Sequence, residues 1–123
     1  MNKLVLHEKN DDKRVITFMV NRELREQLTE ILKTSEKYTL KKKSDWINES
    51  ILMLQENPDY KEMVLNAEGS NKDFVLDKVK MTFSQRCLFS NLRKEVVVSH
   101  PDIRGPQGAI IRAAILSRIV RGL

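Results

Sequence analysis

Lys78, Lys80 and Thr82 alternate with Val79, Met81 and Phe83 in the segment KVKMTF. Neighbouring side chains of an extended chain point to opposite faces, so this spacing gathers two ammonium groups and a hydroxyl on one face and three apolar groups on the other. Such a face suits a partner rich in hydrogen-bond acceptors; the plain alternative is a solvated strand surface. Two further clusters are the run Lys41-Lys42-Lys43-Ser44 and the run Arg104-Gly105-Pro106-Gln107-Gly108. Each stands where a stretch with helical apolar spacing begins. The free N–H groups and positive dipole end of a helix start suit an anion. Pro is natural at a first helical position, and Gly108 lets an anion approach the backbone closely. The plain alternative is a basic loop between helices.

Other reactive residue types are scattered. The one cysteine, Cys87, has no His or base near it in sequence and reads as a core or half-buried thiol. His7 and His100 lack ligand spacing to Cys or acids, so no metal is expected. The Gly105–Gly108 segment is not a nucleotide-binding glycine-rich loop. Trp46 reads as core or interface, and Glu23, Glu26 and Glu30 as a solvated acidic face. No enzymatic activity and no cofactor are expected.

The charge is uneven. The net charge is +5 over 123 residues, but residues 1–77 carry 13 Lys/Arg against 15 Asp/Glu, and residues 78–123 carry 9 against 2. A basic half beside a nearly neutral one points to a polyanionic partner. No apolar run approaches the ~18–20 residues of a membrane span. The opening residues Met1–His7 lack the apolar stretch of a signal peptide, and a cytoplasmic location with no membrane partner is expected.

These groups need elements to position them. Residues 1–13 read as an arm, with a possible short strand at Leu4–Leu6. Residues 14–56 form a first unit: the β-branched and aromatic run RVITFMV is a strand, Asn21 is a helix N-cap, and Leu24, Leu28, Ile31 and Leu32 mark a helix over about 22–34. A second helix starts near Ser44, with Trp46, Ile47, Ser50, Ile51 and Leu54 on one stripe, and ends at Asn57-Pro58. Residues 57–77 are a connector, with a possible short helix at Tyr60–Ala67 and a polar linker at 68–73. Residues 78–123 form a second unit: a strand at 78–83, Ser84 as N-cap, a helix carrying Leu88, Leu92 and Val96, and a last helix over 107–120.

The two units align without a gap at an offset of 64 residues, which pairs Val15 with Val79, Leu28 with Leu92, Ile47 with Ile111 and Ile51 with Ile115. One strand and two short helices cannot bury enough apolar surface alone, so the two strands are expected to pair antiparallel and let four helices close one core. Pairing within one chain or between swapped chains are both open. Strand 1 has two registers. Hiding Phe18 turns Val15, Thr17 and Met19 outward, which is the preferred reading. The 64-residue offset instead turns Arg14, Ile16 and Phe18 outward.

The motifs VITFMVNRELREQL with KKKSDWINESILML, and VKMTFSQRCLFSNL with GPQGAIIRAAILSRI, resemble the ribbon-helix-helix family of Arc, MetJ and CopG. Two units in one chain resemble the tandem arrangement of TraY-like conjugation proteins. The fold class that the resemblance implies is mainly α with a two-stranded antiparallel ribbon, a tandem ribbon-helix-helix pseudo-dimer. It implies sequence-specific binding of double-stranded DNA by a ribbon in the major groove, as a transcriptional repressor or a plasmid or phage DNA-processing accessory. Lys78, Lys80 and Thr82, with Val15, Thr17 and Met19, then read bases. Lys41, Lys42, Lys43 and Ser44, with Arg104, Gln107 and Gly108, then hold phosphates. Self-association on adjacent sites is a further expectation. The competing class is a protein-interaction module, an antitoxin or an adaptor or inhibitor on the same fold, with Tyr60–Leu65 as its partner segment.

Overall fold

The structure, a computed structural model, describes residues 13–69 and 73–123. The arm 1–12, with the expected strand at Leu4–Leu6 and His7, and residues 70–72 of the linker lie outside the described residues. Strand β1 (Arg14–Asn21) runs directly into helix α1 (Arg22–Thr34). Asn21 holds the N-cap position without a side-chain bond, and the Arg22 N–H instead donates to the Asp73 carbonyl at 3.0 Å. Leu24, Leu28 and Leu32 bury one face of α1 at four-residue spacing. A 3-10 turn (Leu40–Lys42) leads into helix α2 (Lys43–Glu56), which stops at Asn57 before Pro58. Helix α3 (Tyr60–Asn66) follows, then strand β2 (Phe74–Met81). Helix α4 (Phe83–Ser99) starts on a capping box: Gln85 N–H donates to Thr82 Oγ1 at 3.3 Å, and Thr82 N–H donates to Gln85 Oε1 at 2.9 Å. Helix α5 (Pro106–Arg121) opens at Gly105, whose φ of 54° is a conformation that glycine adopts without strain.

β1 and β2 pair antiparallel within the chain, from Arg14 opposite Met81 to Asn21 opposite Phe74. The inner face of this ribbon buries Phe18, Val20, Val79 and Met81 against the helices. Helices α2 and α5 form the centre of the core through Ile47, Ile51, Ile110, Ile111 and Ile115, with Ser50 and Ala114 keeping the helices close. Arg118 is buried with them at 5% exposure. Its guanidinium stacks on Trp46 at 4.4 Å and Tyr38 at 5.3 Å, and donates to the Trp46 carbonyl at 3.0 Å and Ser50 Oγ at 3.3 Å. A buried cation is tolerated only with such partners.

Two features overturn the tandem ribbon-helix-helix pseudo-dimer. First, the described residues form five helices and one two-stranded sheet, and α3 is part of the core rather than a connector outside it. Its Val64 is 0% exposed, and α3 packs on α2, α4 and α5. A core shared by four helices in two equal units is therefore not what the chain builds. Second, the ungapped 64-residue repeat fails. It equates Val15 with Val79, yet Val15 is 52% exposed and Val79 0%. In the ribbon, residues of like burial are instead 61 apart, as Phe18 and Val79 or Val20 and Met81 are. In α2 and α5 the spacing is 64, as for Ile47 and Ile111. The difference is absorbed in the intervening helices, since α4 has 17 residues and α1 has 13.

Strand 2 is displaced as well. It covers 74–81 rather than 78–83, because the capping box turns the chain into a helix at Phe83. Phe83, expected inward, is 62% exposed. The preferred register of strand 1 holds: Phe18 is buried, and Val15, Thr17 and Met19 face outward.

Candidate nucleic-acid interface

The outer face of the ribbon carries three cross-strand pairs: Val15 with Lys80, Thr17 with Lys78, and Met19 with Leu76. All six residues are exposed. The face is thus basic and polar toward one end and apolar toward the other. Thr82 does not belong to it; its hydroxyl is occupied in capping α4. Leu76 takes the third position on strand 2 instead. The signal for it is present in Phe74-Val75-Leu76, a β-type run just before KVKM that Asp77 interrupts.

Both edges of the ribbon are closed by side chains from the first two turns of α2 and α5. On the β2 edge, the Lys80 N–H donates to Ser44 Oγ at 2.9 Å, and Asn48 Nδ2 donates to the Lys80 carbonyl at 2.8 Å. On the β1 edge, Gln107 Nε2 donates to the Thr17 carbonyl at 3.1 Å, and Arg112 NH1 donates to the Met19 carbonyl at 2.8 Å. These bonds occupy edge groups that would otherwise pair with a further strand. They also fix both helix N-termini beside the ribbon. Asn48 and Arg112 are polar residues on apolar stripes, and the sequence pattern does not single them out.

This geometry divides the expected phosphate-binding residues. Ser44 and Gln107 are committed to the ribbon backbone. Lys43 Nζ lies 2.5 Å from Asp77 Oδ2, and Arg25 is 3.7 Å from the same oxygen, so a nearly buried carboxylate under the ribbon holds both cations. Gly108 makes room for Arg112, whose NH1 lies 2.7 Å from where a Cβ would stand. Burial pushes the Arg112 pKa down from the ordinary guanidinium value. Its Nε and NH2 donate to the Ala67 carbonyl, and its plane lies 4.7 Å from the Phe74 ring. Lys41, Lys42 and Arg104 remain exposed at the two helix starts. A cleft of about 580 Å³ beside the β1 edge is lined by Thr17, Met19, Phe74, Arg104 and Gln107 among others.

Compared with known proteins, the chain matches no family model, no curated protein and no solved structure.

Among the described residues, the remaining reactive groups form no second centre. Cys87 is exposed rather than half-buried. His100, the residue after α4, has its Nε2 3.3 Å from Glu62 Oε1 of α3 without a hydrogen bond between them. Among the described residues, no group of three or more His, Cys, Asp or Glu is placed to hold a metal ion. No helix among them is long and apolar enough to cross a membrane.

Proposed function

We propose that the chain binds double-stranded DNA by laying its two-stranded ribbon in the major groove. One observation carries the reading: Lys78 and Lys80 stand exposed on the outer ribbon face, opposite Thr17 and Val15, between two helix starts that present Lys41, Lys42 and Arg104. The major groove is about 12 Å wide and admits a two-stranded ribbon, whose strands are about 5 Å apart. Lys can donate to guanine O6 and N7, and Thr can bond a base or meet a thymine methyl. In this reading the two helix starts, pinned to opposite ribbon edges, meet the two phosphate backbones that border the groove. In this role the protein acts in the cytoplasm as a repressor or as an accessory in plasmid or phage DNA processing. The test is binding to random-sequence duplex DNA across a salt series. Affinity that falls linearly in log–log form with salt supports the reading, because Lys and Arg contacts release condensed counterions. Absence of duplex binding at low salt refutes it.

The competing interaction-module reading is not favoured. Its expected partner segment, Tyr60–Leu65, is tied into the fold: Val64 is buried, and Tyr60 OH donates to Glu95 Oε2 at 2.5 Å.

A further inference from the structure

The ribbon face is polarised along its length. At one end Val15 faces Lys80, at the centre Thr17 faces Lys78, and at the other end Met19 faces Leu76. Met19 is 41% exposed and Leu76 58%, so an apolar pair stands uncovered on the surface that also carries the two lysines. Neither side chain can donate a hydrogen bond to a base edge. The one apolar group that a base pair presents in the major groove is the C5-methyl of thymine.

We infer that the Met19–Leu76 pair is a methyl-reading end, which makes the preferred duplex asymmetric, with thymines under Met19 and Leu76 and guanines under Lys78 and Lys80. The inference rests on the DNA reading above and adds a residue, Leu76, and a direction to it. Three features fix the occupant. The pair shares a pleated face with two ammonium groups, which selects a polyanion. Both ribbon edges are closed by Ser44, Asn48, Gln107 and Arg112, which leaves the face rather than an edge to engage the partner. The remaining position on the face, Val15, is directly opposite Lys80, so the basic end lacks an apolar pair of its own. A two-fold symmetric site would place like bases against unlike side chains.

The test starts from a duplex selected from a randomised pool by the full chain. Each thymine is then replaced by uracil, which removes only the methyl group, and each guanine by 7-deazaguanine, which removes only the N7 acceptor. The expected result is a loss of about fourfold per methyl removed in one half of the site, the worth of burying one such group. Losses from 7-deazaguanine should fall at the centre and in the other half. In the variant Leu76→Ser with Met19→Ser, uracil and thymine duplexes should bind alike, while the 7-deazaguanine losses persist. Both positions are exposed, so the variant keeps its core. Equal binding of thymine and uracil duplexes by the unsubstituted chain overturns the inference and leaves the DNA reading intact. A selected site with perfect two-fold symmetry also overturns it alone. A chain that binds no duplex overturns both.

Discussion

Asn48 Nδ2 donates to the carbonyl of Lys80 at 2.8 Å, so the strand bearing the two outward lysines is anchored by the helix that starts beside it. The same amide donates to the Ser44 carbonyl at 2.9 Å, and Asn48 is only 6% exposed. One buried amide thus helps to set the position of the basic end.

Asn48→Ala leaves the Lys80 carbonyl without its donor, and a loss of about 1–3 kcal/mol is expected from denaturant unfolding. Asn48→Asp should cost more, because a carboxylate would then face two carbonyl oxygens with no water to solvate it. An alanine variant as stable as the unsubstituted chain would show that this anchor carries no weight.

Arg118 is the second lock. Its stacking on Trp46 and its bonds to Trp46 and Ser50 join α5 to α2. Arg118→Ala should cost about 2–4 kcal/mol, the combined loss of a desolvated cation–π interaction and charged hydrogen bonds. Lysine should not restore it, since an ammonium has neither the planar stack nor the fork of donors. Thermal unfolding of both variants checks this.

Tyr60 gives a pH signature. Burial, then the hydrogen bond to Glu95, then the Glu95 charge push its pKa from 10.0 up to about 12. A folded-state value above the unfolded one means that the contribution is complete below pH 10.0 and is lost as pH rises toward about 12. Stability of the chain should thus fall more steeply over that window than stability of Tyr60→Phe. Parallel curves for the two would show that Tyr60 ionises freely.

Lys41→Ala with Lys42→Ala removes two exposed cations at the start of α2. Affinity should drop alike for all DNA sequences. The slope of log affinity against log salt should flatten by about 0.9 for each phosphate that is no longer neutralised. An unchanged slope would take this helix start out of the interface.

The sequence is most informative where periodicity and residue type agree. The strand RVITFMV, the leucine spacing of α1 and the isoleucine stripes of α2 and α5 all form as their patterns predict, and hiding Phe18 gives the correct strand register. A single alignment extended over both halves misleads. The 64-residue offset holds for the isoleucines of α2 and α5 and fails at the ribbon, because a longer α4 shifts the frame. The unbroken alternation of KVKMTF makes Thr82 look like a strand residue, yet its hydroxyl is better used on the Gln85 N–H. Short-range alternation cannot reveal that choice. Asn48 and Arg112 are hidden for a different reason: their partners are carbonyls 32 and 93 residues away, which no local pattern encodes. Lys43, Ser44, Gln107 and Gly108 look like anion-binding residues in sequence, and only the folded chain reveals their commitments to Asp77, the ribbon backbone and Arg112.

That the outer ribbon face meets base edges is tested most directly at Lys78 and Lys80. Both are exposed, and neither side chain supports the core. The measurement is the affinity of the chain and of Lys78→Ala and Lys80→Ala for a selected duplex and for random duplex in the same buffer. The expected result is a loss of about 1–3 kcal/mol per substitution on the selected site where the lysine reads a guanine, and a much smaller loss on random DNA. Equal losses on both duplexes would make the lysines phosphate-binding groups, and no loss on either would contradict a ribbon seated in the groove.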